Sequence, residues 1–502
     1  MNLQNAFSML LGTRSMPPLP ESFLFGVATA DHQCEAYDPA RQDIRDVWER
    51  EHKLVMRGKA PDFEHRFEED IELARQLGCK AFRFSIAWSR VEPSPGQFDA
   101  AAFDHYRRLT QAIQSAGMEP VITLHHFTWP VHVQQRGGMI GHEFPALFAR
   151  YVTEAVNHLG QDVRRGVWLT FNEPSQLIYG YIKPGWEQNY FVPPGLPEGS
   201  TFDDQVAALG KLIRNLFVAH TQARQIIKAA HPDALVGANP LLLGLPVWLQ
   251  RLINWNATRV KHEADLNKNV RRFVARQLNT AVSAQGANPL RAWWNSVVQY
   301  YSILSTVAAS NWWHLGMAGR LPEFLCPPEC VGQQDFVGLD YYWGISRLRL
   351  DRVGRLIQAG LGRFEQAPVW PGALYDHLKY QASLFPGLPM LIVENGSVDI
   401  ADNIDRATYI CQHIHQAQRA VKDGVNLMGY ICWAITSNRE WGLPFDKSSD
   451  FGLYHIDLDT DPDLRRIPTS AVAAYQSIIS RRGTQDPVRG SHLSQVESQV
   501  TN

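Results

Sequence analysis

The sequence predicts a single (β/α)8 TIM barrel, of class α/β. The first observation is eight short runs of β-branched and aromatic residues, at 23–30, 81–88, 120–126, 166–172, 234–240, 336–342, 390–395 and 427–435. The second is the amphipathic helical pattern between most of them, for example over 64–77, 101–116 and 402–422. Short strands alternating with helices mean a parallel sheet, and eight such units close into one barrel. A chain of 502 residues with 45% hydrophobic content can fill that core. Residues 1–20 read as an N-terminal extension and 21–481 as the barrel, with an inserted helical segment at about 241–310. The stretch 482–502 is polar, shows no periodic apolar face, and is expected to be a disordered tail.

Bulk properties exclude several function classes. With 48 basic and 50 acidic residues the net charge is −2, and no nucleic-acid partner is indicated. Six cysteines are scattered, and only Cys326 and Cys330 are close together, so no zinc-like set forms. Reduced, buried thiols are expected. The N-terminal residues lack the basic region and cleavage site of a secretory signal, which points to a cytoplasmic protein. No apolar run reaches the ~18 residues of a spanning helix. No cofactor or metal is implied, and the oligomeric state is not readable.

Two strand ends carry the chemistry. In "WLTFNEP" an apolar run stops at Asn172 and Glu173, and Pro174 blocks its continuation. In "MLIVENG" a second run stops at Glu394, followed by Asn395 and Gly396. These end the fourth and seventh strands, and barrel sites lie at the C-terminal strand ends. Two carboxylates across one sugar ring cleave a glycosidic bond when one is protonated and the other ionised. In "RFSIAW" the period of two turns Arg83 inward, where it requires an anion. In "TLHHF" His125 and His126 face opposite ways, so only one lines a pocket, and no further ligand makes them a metal pair. "HQCEA" supplies Gln33 and Glu35 after the first strand. "CWAITSNREWG" supplies Trp433, Glu440 and Trp441 at and beyond the eighth. Rings that stack on sugar C–H faces, with amides and carboxylates for hydroxyls, suit a glycone pocket.

At these residues the sequence resembles glycoside hydrolase family 1, the β-glucosidase family. "FLFGVATADHQCEA", "FRFSIAWSRVEPSPGQFD", "TFNEP", "VENG" and "NREWG…DFGLYHID" resemble its blocks in order, over roughly 20–240 and 310–480. The resemblance implies Glu173 as acid/base, Glu394 as nucleophile and net retention. It implies that Arg83 and Tyr342 hold the nucleophile. It implies that Gln33, His126, Asn172, Trp433, Glu440 and Trp441 bind the glycone. Members acting on phosphosugars replace the Glu-Trp pair, so Glu440 favours a non-phosphorylated β-hexoside. Phe127 stands where most members have Trp, and Asp340 where most have Asn.

The connection between the fifth and sixth strands is unusual. Residues 248–313 hold Trp248, Trp255, Trp293, Trp294, Trp312 and Trp313, and the last pair reads as ordinary core. Leu245, Trp248, Leu249, Leu252 and Ile253 recur at helical spacing beside seven Lys/Arg and two acids over 251–276. This describes either a helical hairpin packed on the barrel or an interfacial helix giving peripheral membrane contact through 245–280. Three functions follow: a retaining β-glycosidase acting on a small-molecule or lipid-linked β-glycoside, a transglycosylating member acting on glycolipids at a membrane surface, or a non-catalytic sugar-binding protein.

Overall fold

The structure, a computed structural model, describes residues 16–159, 163, 166–180, 196, 201–272, 310–360 and 362–484. Eight parallel strands form its centre: β1 (Leu24–Ala28), β2 (Ala81–Ser85), β3 (Glu119–Thr123), β4 (Val167–Asn172), β5 (Leu235–Asn239), β6 (Val337–Asp340), β7 (Met390–Asn395) and β8 (Leu427–Cys432). Seven lie inside the expected runs, and β3 starts one residue before its own. They pair in the order β5-β4-β3-β2-β1-β8-β7-β6. Backbone bonds at and beyond the strand ends close β5 onto β6, including Leu242 N to Asp340 O at 2.9 Å and Asp335 N to Val236 O at 2.8 Å. Nearly every strand residue is buried, because side chains fill the barrel inside and helices cover it outside.

The helices follow from local chemistry. Phe63–Leu77 buries Phe63, Phe67, Ile71, Ala74 and Leu77, one face at helical spacing, and Gly78 ends it at a φ of 86°. Ala100–Ser115 starts where the Asp99 side chain accepts from the backbone N–H of Ala101 and Ala102. The helix expected over 402–422 runs Arg406–Lys422, because Asp405 caps it by accepting from Thr408 N.

Described parts of both predicted flanks pack on the barrel. Gln418 Nε2 donates to Pro17 O at 2.6 Å, and Thr484 N donates to Gln418 Oε1 at 3.1 Å. Residues 1–15 and 485–502 lie outside the described residues, as do Trp293 and Trp294 of the long connection.

In that connection Val247–Thr258 is helical, and its two faces differ. Leu249, Ile253 and Ala257 are buried, and Asn254 Nδ2 donates to Tyr380 Oη at 2.9 Å. The opposite face leaves Trp248 47%, Leu252 38% and Trp255 53% exposed. The expected single stripe is therefore divided: Leu245, Leu249 and Ile253 belong to the core, and Trp248 and Leu252 do not. Trp312 and Trp313 are fully buried, with Trp313 stacked on Phe217 at 4.9 Å.

The ends of β7 and β8 come close enough to dictate one residue. A Cβ on Gly396 would lie 1.9 Å from the carbonyl oxygen of Trp433. Gly396→Ala must push the two strand ends apart, at about 1–3 kcal/mol or more. We expect a lower melting temperature. A melting curve superimposable on the wild type would refute this reading of the contact.

Candidate active site

A cavity opens at the C-terminal ends of the strands. Gln33, His126, Asn172, Glu173, Tyr342, Glu394, Trp433, Glu440 and Trp441 all line it. The structure thus brings together the residues that the sequence singled out. Arg83 lies beneath them, fully buried on β2.

Arg83 organises the floor. Its Nη1 donates to Glu394 Oε1, its Nη2 to Asn172 Oδ1 at 2.6 Å, and its Nε to Thr123 Oγ1 at 3.0 Å. The other Glu394 oxygen accepts from Tyr342 Oη at 2.5 Å. Asn395, next in sequence, faces away from the pocket into a polar cluster. Its Oδ1 accepts from Tyr430 Oη at 2.6 Å, and its Nδ2 donates to Tyr409 Oη at 3.0 Å and to Tyr341 O. Two adjacent polar residues at a strand end therefore divide the work: Glu394 faces the cavity and Asn395 ties the strand down.

Glu173 follows β4 at a φ of 37°, a conformation costly for a non-glycine residue and found at functional sites. Phe127 (66°) and Trp441 (45°), also in the pocket wall, share it. Burial and the neighbouring Glu394 push the Glu173 carboxyl well above its usual range, with Arg83 opposing. Oxygens of Glu173, Glu394 and Asp340 lie within 4.8 Å of one another. Burial, and Arg83 beside it, keep His126 neutral, with a pKa well below 6.5.

Other candidates go elsewhere. His125 is buried against Trp129 and Phe171, outside the pocket. Glu35 pairs with Arg90 at 2.7 Å and accepts from Tyr106 Oη at 3.0 Å, so it belongs to the wall behind the site. Sequence reasoning missed Asn239 and His32. Asn239 Nδ2 donates to both Asn172 Oδ1 and Asp340 Oδ2 at 2.6 Å, joining β4, β5 and β6. The sign was an Asn ending a strand, as Asn172 does.

His32 lies parallel to the Trp441 ring at 5.5 Å. Its Nδ1 is 2.9 Å from Asp43 Oδ2, and its Nε2 is 3.3 Å from Glu49 Oε1. Burial disfavours its charge, but Asp43 and Glu49 outweigh burial and raise it from 6.5 to about 10. A cation thus backs the indole, with Arg45 also 5.8 Å from the ring centroid.

The model described as Glycosyl hydrolase family 1 matches residues 15–243 and 363–484. The chain belongs to that family. It is therefore a glycoside hydrolase, and its small-molecule substrate is a β-glycoside. Beta-glucosidase A of Thermotoga maritima is 26% identical over 93% of this chain and 99% of its own. Thermostable beta-glucosidase B of Thermobispora bispora is 27% identical over 93% and 92%. The fold matches beta-glucosidase from Thermotoga maritima in complex with deoxynojirimycin, with a TM-score of 0.66 and 24% identity, over 93% of this chain and all of that one. The unmatched span 244–362 is longer than the resemblance suggested, because it also takes in β6 with Asp340 and Tyr342.

The His32 cluster makes a prediction about stability. A proton bound more tightly in the folded state stabilises it fully below pH 6.5, and this contribution is lost as pH rises through about 10. Urea unfolding across that window should show declining stability in the wild type and a shallower decline in His32→Gln. Equal slopes would mean that His32 is neutral in the fold.

Proposed function

We propose that the chain hydrolyses non-phosphorylated β-D-glucosides with retention, using Glu394 as nucleophile and Glu173 as acid and then base. The observation that carries the reading is the pair of buried carboxyls on β4 and β7, with oxygens within 4.8 Å. Retaining enzymes hold their carboxyl groups about 5–5.5 Å apart, too close for an intervening water. The two environments also differ. Glu394 has the Arg83 cation and the Tyr342 hydroxyl on its two oxygens, which hold the nucleophile in one orientation. Glu173 is held protonated by burial and by that neighbouring charge.

In the first step Glu394 attacks the anomeric carbon. The glycosidic C–O bond breaks, and the Glu173 proton passes to the leaving oxygen. In the second step the Glu173 carboxylate takes a proton from water, the water oxygen bonds to the anomeric carbon, and the bond to Glu394 breaks. Asn172, fixed by Arg83 and Asn239, holds its amide for the adjacent sugar hydroxyl. Trp433 and Trp441 offer apolar faces, and Gln33 and Glu440 bind outer hydroxyls. The preference for a plain sugar rests on the cation count rather than on charge repulsion. No Lys or Arg lines the cavity among the described residues. Glu440 itself is pushed up to about 8 by burial, so it repels a phosphate less than an ordinary carboxylate would.

The first test is nitrophenol release from a β-glucoside by the wild type and by Glu394→Gln. We expect release by the wild type and a loss of several orders of magnitude in the variant. Equal rates would sink the assignment of the nucleophile.

A second reading concerns where the enzyme works. The outward Trp248, Leu252 and Trp255 follow helical spacing, and Arg259 stands 4.5 Å over the Trp255 ring. Aromatic and aliphatic groups beside arginines favour peripheral contact with an anionic membrane and a lipid-linked β-glycoside. Among the described residues no helix is long and apolar enough to cross a membrane. Removing 245–280 would also remove the buried Leu249 and Ile253, so the outward face should be changed alone. Replacing Trp248, Leu252 and Trp255 by Ser should abolish sedimentation with anionic vesicles and leave nitrophenol release unchanged. Undiminished sedimentation would discard this reading.

A further inference from the structure

Three carboxyl groups, not two, meet at the floor of the cavity. Asp340 is the last residue of β6, fully buried, and one of its oxygens lies within 4.8 Å of oxygens of both Glu173 and Glu394. Its Oδ2 accepts from Asn239 Nδ2 at 2.6 Å, and the same amide holds Asn172. Its Oδ1 is buried without a hydrogen-bond partner among the described residues. The groups around it are Arg83 from β2, Glu173 after β4, Asn239 from β5, Tyr342 beyond β6 and Glu394 from β7. They include one cation, and Arg83 is already bonded to Glu394 and Asn172.

A second buried anion beside Glu394 would have no counter-charge of its own. Carboxylates this close do not both ionise readily, so a proton must be retained. Glu173 needs one proton for its role as acid. The uncompensated third group then needs another. Asp340 Oδ1 is a buried acceptor with no donor facing it, which a carboxylate tolerates less well than a protonated carboxyl does.

We propose that Asp340 is a positioning residue of this site: a neutral carboxylic acid, protonated on Oδ1, that stands beside the Glu173–Glu394 pair and holds Asn239 without adding a third charge. Burial first, and then Glu394 and Glu173, hold its carboxyl well above the usual range, in keeping with that geometry. The inference rests on the functional reading above. It adds that two of the three carboxyls at the floor are acids, and that an amide can replace Asp340.

The test compares Asp340→Asn and Asp340→Ala with the wild type, through kcat/KM against pH on a nitrophenyl β-glucoside and through the infrared carbonyl band of protonated carboxyls. The amide keeps a donor of the same shape without a proton to lose. Asp340→Asn should retain activity within about threefold, while Asp340→Ala should lose about tenfold or more. The alkaline limb, where Glu173 loses its proton, should stay in place or move up in Asp340→Asn. The neutral-pH infrared spectrum should lose one carboxylic-acid band. If Asp340 is instead an anion, removing its charge lowers the Glu173 pKa, and the alkaline limb moves to lower pH. That shift, or an unchanged infrared spectrum, overturns the proposal. If the Ala variant does not fold, the Asn variant decides alone. A wild type that cleaves no glucoside would defeat the functional reading, while the infrared comparison would still settle the state of Asp340.

Discussion

The Arg83 guanidinium is the interaction on which the site depends. It sits fully buried inside the barrel and reaches three strand ends besides its own, through Thr123 on β3, Asn172 on β4 and Glu394 on β7. A buried cation without partners is prohibitively costly, so each of these acceptors is required where it stands. Removing one member of such a pair typically costs about 3–5 kcal/mol, because the other charge is left buried and alone. The same constraint holds the barrel in one register and the nucleophile in one orientation. Tyr342 completes the hold from just beyond β6, and Asn395 anchors β7 from behind.

Charge economy follows from that single cation. Glu173, Glu394 and Glu440 in the pocket and Asp340 beside them, all buried, stand against one guanidinium. Burial pushes Glu173, Asp340 and Glu440 toward their neutral forms. Acid and nucleophile are thus distinguished by their neighbours and not by residue type. The His32 cluster obeys the same rule with the signs reversed: Asp43 and Glu49 lie against the two ring nitrogens and favour the charged imidazole beside Trp441.

Much of this was legible in the sequence because burial writes regular patterns. All eight strands stood out as apolar runs, and the two glutamates stood out because a polar residue ending such a run has to face something. What was not legible depends on partners distant in the chain. Nothing near Glu35 announces Arg90, so it read as a pocket residue. Nothing near His32 announces that two acids from the following helix will hold its proton. Asn239 is one amide in a short strand, and its role appears only when Asn172 and Asp340 arrive from either side. The split of Val247–Thr258 into two faces was hidden because Leu249 and Ile253 interleave with Trp248 and Leu252 at compatible spacings. Periodicity marks a helix with apolar residues, but not which of two adjacent stripes meets the barrel.

Two departures from the family, the long connection and Asp340, gather at one seam. The family model leaves 244–362 unmatched, and this span contains both the helix with the outward Trp248 and Trp255 and the strand that ends at Asp340. The seam between β5 and β6 is also where the barrel closes through bonds at and beyond the strand ends rather than along a continuous ladder. A junction held this way tolerates a changed connection, because few strand-to-strand bonds depend on its exact course. The acceptors bonded to Arg83 tolerate no such change, since each answers one buried charge. Variation in what the enzyme meets outside the pocket, and in the third carboxyl at its floor, is therefore concentrated on the side of the barrel where the fold constrains it least.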